Sequence, residues 1–246
     1  MGIDGKSDLV NDGKTVNSQL DYTLNSLKLQ GQDMGSGKLT LKVAQIDGEA
    51  LHQFSQQYSA QTKALMAQID VVQNPELYQQ KVTEAFFNAL PILMKGEPVI
   101  TIAPLSWKNA KGETAFNLSL LLKDPTANTE EPQTLAQEVD RSVKSLDAKL
   151  TIPVDMATEF MTQIAKIEGY QQEQAADLAK QQVNGLAAMG QMFRITTMQD
   201  NVIGSSLQYA NGQVTLNGQK MTLDEFVGMF GMPSLGEPDA PAIPQQ

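Results

Sequence analysis

The chain has 246 residues, with 18 basic and 28 acidic side chains, so it carries a formal charge of −10; it contains one histidine, one tryptophan and no cysteine. These counts exclude thiolate metal sites, thiol catalysis, a disulfide framework and a multi-histidine metal site within one chain. The acidic balance argues against a nucleic-acid partner, which needs a basic face.

The first readable elements alternate with a period of two. Asp4-Gly5-Lys6 and Asn11-Asp12-Gly13-Lys14 read as turns. Leu20, Tyr22 and Leu24, then Leu39, Leu41 and Val43, read as strands of an antiparallel sheet with one covered face. Gly35-Ser36-Gly37 supplies the turn expected between them. Helical spacing follows. Leu51, Phe54, Tyr58, Leu65 and Ile69 share one side of a helix over 48–69. Asn74-Pro75 then starts a second helix carrying Leu77, Val82, Phe86, Leu90 and Leu93, which stops at Gly96. Strands return at 99–103 and 116–122, linked around Trp107 by the turn Asn109-Ala110-Lys111-Gly112.

A solvated connection, 124–133, leads to a short helix ending near Val143. The order then repeats: a strand over 146–154, helices through Phe160 and Val183, strands over 193–198 and 202–210, and the turn Asn211-Gly212. Lys38-Leu39-Thr40-Leu41-Lys42-Val43 matches Lys149-Leu150-Thr151-Ile152-Pro153-Val154 without a gap, and Trp107 and Tyr209 each precede a hairpin turn. The pattern predicts an α+β fold: a curved antiparallel sheet with helices packed on one face. Its expected parts are two similar strand–helix–helix–hairpin units at 1–123 and 146–230, a linker and short helix at 124–145, and a flexible tail at 231–246.

Candidate chemistry is sparse. Gly35-Ser36-Gly37-Lys38-Leu39-Thr40 imitates the end of a phosphate-binding loop, but Leu39 stands where a hydroxyl must reach magnesium, and a strand follows where a helix is needed. His52 lies one turn after Glu49 and reads as a helix-surface residue without a serine elbow to serve. Asp4, Asp8 and Asp12 lack the alternation of a calcium loop. Asp155 with Glu159, and Glu173 with Asp177, are like charges on solvated helix faces. Asn117-Leu118-Ser119 fits a glycosylation sequon inside a predicted strand. No catalytic, cofactor-binding or metal-ligating residue is assigned and no cofactor is expected. Met66, Met94, Met156, Met161, Met189 and Met192 mark apolar helix faces suited to core filling or to a groove.

The segment Ser206-Leu207-Gln208-Tyr209-Ala210-Asn211-Gly212-Gln213-Val214-Thr215-Leu216-Asn217-Gly218-Gln219-Lys220-Met221 carries a likeness. So does Leu27-Lys28-Leu29, leading through Gly37-Lys38-Leu39-Thr40-Leu41 to Asp47-Gly48-Glu49-Ala50-Leu51. With the element order, these segments resemble the YdgA-like family of bacterial envelope proteins over roughly 20–230. The resemblance implies a periplasmic module, inner-membrane-anchored in a longer protein of which this chain is the C-terminal portion, with no catalytic residues to carry over. The expected function is non-enzymatic: binding an apolar, lipid-like ligand or an envelope protein partner. Self-association as a homodimer without a small ligand is the alternative, and a hydrolase using His52 or carboxylates stands third.

Overall fold

A computed structural model describes residues 1–10, 13–68, 73–127 and 132–230. Ten strands form one open antiparallel sheet: β1 (Gly2–Val10), β2 (Thr15–Leu29), β3 (Gln32–Asp47), β4 (Val99–Asn109), β5 (Gly112–Leu122), β6 (Val143–Pro153), β7 (Thr197–Gln199), β8 (Val202–Ala210), β9 (Gln213–Leu216) and β10 (Gln219–Thr222). Neighbours run in the order β1-β2-β3-β4-β5-β6-β8-β9-β10, with β7 also pairing β8. Two pairs of helices interrupt this meander. α1 (Gly48–Gln68) and α2 (Pro75–Met94) lie between the adjacent strands β3 and β4. α4 (Val154–Ile167) and α5 (Gln172–Met192) lie between β6 and β7. Two shorter helices, α3 (Leu135–Ser142) and α6 (Leu223–Gly228), precede β6 and follow β10. The fold is α+β, as the alternating patterns predict.

The register explains the alternation. Leu20 pairs with Leu41, Leu41 with Ile102, Ile102 with Leu118, Leu118 with Ala148, Ala148 with Leu207, and Leu207 with Leu216. Directly opposed residues share a face, so one apolar row crosses seven strands. Two parts of that face are well covered. Ala136 of α3 and Leu223 of α6 pack on Tyr209 and Val214 at one end. Val183 and Ala187 of α5 pack with Val154 and Ile203 at the other. Between them the apolar face is half-buried at Ile102, Phe116 and Leu118, and Leu105 is 46% exposed. α1 and α2 lie mainly against each other through Phe54, Tyr58 and Phe86, whose ring centroids are 5.7–6.0 Å apart. Their main contact with the sheet is along β3.

Several expectations are corrected. The turn between β2 and β3 is at Gln30-Gly31, where both residues have positive φ (48° and 80°); Gly35-Ser36-Gly37 lies inside β3. These glycines are there for the indole of Trp107. A Cβ on Gly37 would stand 2.8 Å from the ring, and one on Gly35 would meet the Lys108 backbone. Trp107 Nε1 donates to the Met34 carbonyl at 2.7 Å. Asp4-Gly5-Lys6 is strand, since β2 offers a nine-residue partner in unbroken register. α2 stops as expected, with Met94 its last residue, Lys95 its C-cap and Gly96 next. The predicted strand over 193–198 shortens to β7, because the last turn of α5 runs on into backbone bonds from Phe193, Arg194, Ile195 and Thr196. β10 and α6 are additional elements.

In the segments that invited comparison, 38–43 and 149–154, Lys38 pairs with Ser106 and Lys149 with Ser206, but Val43 lies within β3 whereas Val154 already opens α4. On that register Trp107 corresponds to Leu207, so Trp107 and Tyr209 are not equivalent. Ile69, Asp12 and the 231–246 tail lie outside the described residues.

Candidate functional site

β6 leads directly into α4 at Pro153-Val154. Val154 N–H donates to the Asn201 carbonyl at 2.9 Å, and Asn109 Nδ2 donates to the Met156 carbonyl at 2.9 Å. The first turn of α4 is thereby tied to two hairpins of the sheet. Alanines at 165, 175, 179 and 187 are buried; their small side chains let α4 and α5 approach closely. The two helices then close over the sheet incompletely.

The gap is a half-open cleft of about 460 Å³. Trp107, Thr114, Ile152 and Ile203 form its floor on the sheet. Met156, Ala157, Phe160 and Met161 of α4 form one wall, and Val183, Leu186 and Ala187 of α5 the other, with Thr196 at the end of the connection to β7. The edge of Phe160 meets Trp107 at 6.4 Å between centroids and 83° between planes. A pocket of this size with an almost wholly apolar lining suits a small hydrophobic ligand. None of the lining residues is ionisable. Of its polar groups, Trp107 Nε1 is satisfied by Met34, and Thr114 Oγ1 donates to the Thr151 carbonyl at 2.8 Å. Thr196 Oγ1 is buried without a hydrogen-bond partner. The cleft can therefore select for apolar shape, and its lining holds no carboxylate, imidazole or amine. A larger depression of about 820 Å³ lies along α2, lined by Glu76, Gln79, Gln80, Thr83, Glu84, Phe87 and Asn88. One helix supplies every one of those residues, so nothing encloses a ligand there.

The residues weighed in the sequence do not converge. His52 is exposed, and its Nε2 lies 2.9 Å from Gln56 Nε2. Glu49 accepts from Gln53 at 3.2 Å. Asp4 and Asp8 project from β1, while Asp12 lies outside the described residues. Asp155 accepts from Asn201 at 3.1 Å, Glu159 from Gln163, and Glu173 and Asp177 are exposed. Among the described residues no group of three His, Asp or Glu side chains could hold a metal ion. The methionines divide: Met156 is buried and lines the cleft with Met161, whereas Met66, Met189 and Met192 are exposed. Sequence reading missed the cleft floor. Its signals were the single tryptophan and the Gly-x-Gly at 35 and 37, which become linked only through the β3–β4 register.

Among the described residues no helix is long and apolar enough to cross a membrane. The profile of a family described as "Bacterial protein of unknown function (DUF945)" matches residues 1–224. Protein YdgA of Escherichia coli (strain K12) is 77% identical over 246 residues, all of this chain and 49% of its own length. The uncharacterized protein YihF of the same strain is 34% identical over 225 residues, 91% of this chain and 46% of its own. The chain thus spans about half the length of the curated relatives it matches. No solved structure matches.

Proposed function

Because the chain belongs to the DUF945 family of bacterial proteins of unknown function, we propose a function from its own geometry: it holds an apolar, lipid-like ligand in the cleft between α4, α5 and the sheet. The observation that carries this reading is the cleft itself, about 460 Å³ with no ionisable side chain in its lining. Binding there is non-enzymatic. Apolar contact supplies affinity without a catalytic group, and the polarizable thioethers of Met156 and Met161 adapt to varied chain shapes. The half-buried row from Ile102 to Leu118 extends apolar surface beyond the cleft. The proposed setting is the periplasm, with the full-length protein anchored at the inner membrane. The support for it is the resemblance of the segments 27–51 and 206–221 to the YdgA-like family of envelope proteins.

The test is a thermal-shift titration with phospholipid extracted from a Gram-negative bacterium, run beside an Ala157→Phe variant. Ala157 is only half-buried and lines one wall, so the larger ring is expected to enter the cleft. The expected result is a rise in Tm for the wild type, reaching about 2.7 kcal/mol of added stability at one hundred times Kd, and little rise for the variant. Mass spectrometry of the purified protein should find the same lipid carried through. No shift and no carried lipid would sink the reading.

A further inference from the structure

The last turns of α5 carry an apolar strip that begins at the cleft. Leu186, Met189 and, at the C-cap, Phe193 stand at helical spacing on one side of the helix. Leu186 lines the cleft and is nevertheless 60% exposed, Phe193 is 53% exposed, and Met192 beside it is 71% exposed. Met198 of β7 pairs with Ile203 of the cleft floor, which puts it on the same face of the sheet. The backbone under this patch is fixed. The Ile195 and Thr196 N–H groups both donate to the Gly190 carbonyl, at 2.9 and 3.1 Å. Asn217 Nδ2 donates to the carbonyls of Arg194 and Ile195, at 3.0 and 2.9 Å, and the Ser205 hydroxyl donates to the Ile195 carbonyl at 2.8 Å. Arg194 is held at φ 58°. Apolar side chains kept in water on a clamped backbone mark a binding surface.

Charge indicates the partner. The chain carries −10, yet from Leu178 to Leu223 its one acid, Asp200, stands against Lys180, Arg194 and Lys220. Glu173 and Asp177 are at the far end of α5, and Asp155 is turned to Asn201 at the β7–β8 turn. Among the described residues no carboxylate pairs with Arg194. Phe87 of α2 is as exposed, at 62%, but it shares its depression with Glu76 and Glu84, which an anionic surface repels. We propose that the mouth of the cleft docks on an anionic lipid bilayer, with Met192 and Phe193 entering the acyl boundary and Arg194 taking a lipid phosphate. The choice of a bilayer rests on the lipid reading of the cleft: a membrane at the mouth lets an acyl chain pass into the cleft without crossing water.

Flotation with vesicles of phosphatidylethanolamine containing about one quarter phosphatidylglycerol reads the docking. The wild type should float with the vesicles. Phe193→Ser should weaken the partition about tenfold, and Arg194→Gln about fivefold, an effect lost on vesicles without phosphatidylglycerol. Phe87→Ser should leave it unchanged. All three side chains are exposed, so circular dichroism should show each variant folded. Ala157→Phe, which obstructs the cleft, should still float, so docking and ligand binding fail separately. Flotation without a thermal shift would count against the cleft alone, whereas a thermal shift without flotation would overturn the docking. Equal loss with Phe87→Ser would overturn it too, because the other helix pair would then be the contact.

Discussion

Gly37 and Tyr209 show how single residues on the apolar face commit whole stretches of the sheet. Gly37 pairs with Trp107, and the indole lies over the space a Cβ would fill, 2.8 Å from it. Both partners are held by the backbone, so neither can yield cheaply. Gly37→Ala is therefore expected to destabilise the protein by about 1–3 kcal/mol, read from urea denaturation, and to shift Trp107 fluorescence. Tyr209 is 5% exposed, and its hydroxyl donates to Asp140 Oδ1 at 2.7 Å. Burial first, and then the bond to the Asp140 carboxylate, holds the phenol well above its usual range. In the unfolded chain it ionises near pH 10. Its contribution is thus fully present below about pH 10 and is lost as pH rises from there towards the folded-state value. Spectrophotometric titration should show one tyrosine failing to ionise with the rest. Tyr209→Phe should lower stability by about 1 kcal/mol at neutral pH and flatten the alkaline decline.

At the scale of elements, α6 illustrates how a local signal can be present and still be overlooked. Its six residues are too few for a helical period to show. Its start is nevertheless encoded: the Thr222 hydroxyl accepts from Glu225 N–H at 3.2 Å, and the Glu225 carboxylate accepts from Thr222 N–H at 2.7 Å. This reciprocal capping box satisfies two otherwise free donors. Thr222→Ala should cost about 1 kcal/mol. Because Leu223 seals the cluster around Tyr209 and Val214, hydrogen exchange should rise first in α6 and β9. The β2–β3 turn was misplaced for the opposite reason. Gly35-Ser36-Gly37 is the stronger local turn signal, but Trp107 needs those glycines inside a strand, and Gln30-Gly31 supplies the turn five residues earlier. The helices α1 and α2 are readable to within a few residues, and α4 and α5 are readable as helices from their apolar spacing.

Across the whole molecule, coverage of the sheet is uneven, and that unevenness sets where stability lies. β6 and β8 carry helices over their apolar side chains, and Ile203, Val154 and Val183 are buried between them. Among the described residues no helix covers β1, and in β2 Leu20 and Leu29 remain exposed. Native-state hydrogen exchange should accordingly show amides of the β1–β2 hairpin opening at much lower free energy than those of β6–β8; equal protection along the sheet would contradict this. By itself the sequence determined the α+β class, the antiparallel sheet and the order of most elements along the chain. Periodicity and turn chemistry are local quantities, written in residues within one or two turns of each other. Tertiary structure alone decided which faces stay bare, where the cleft opens and why Gly35 and Gly37 stand in β3. Each of these depends on pairings between residues some seventy positions apart, such as Met34 with Trp107, and on how far two packed helices fall short of covering the strands beneath them.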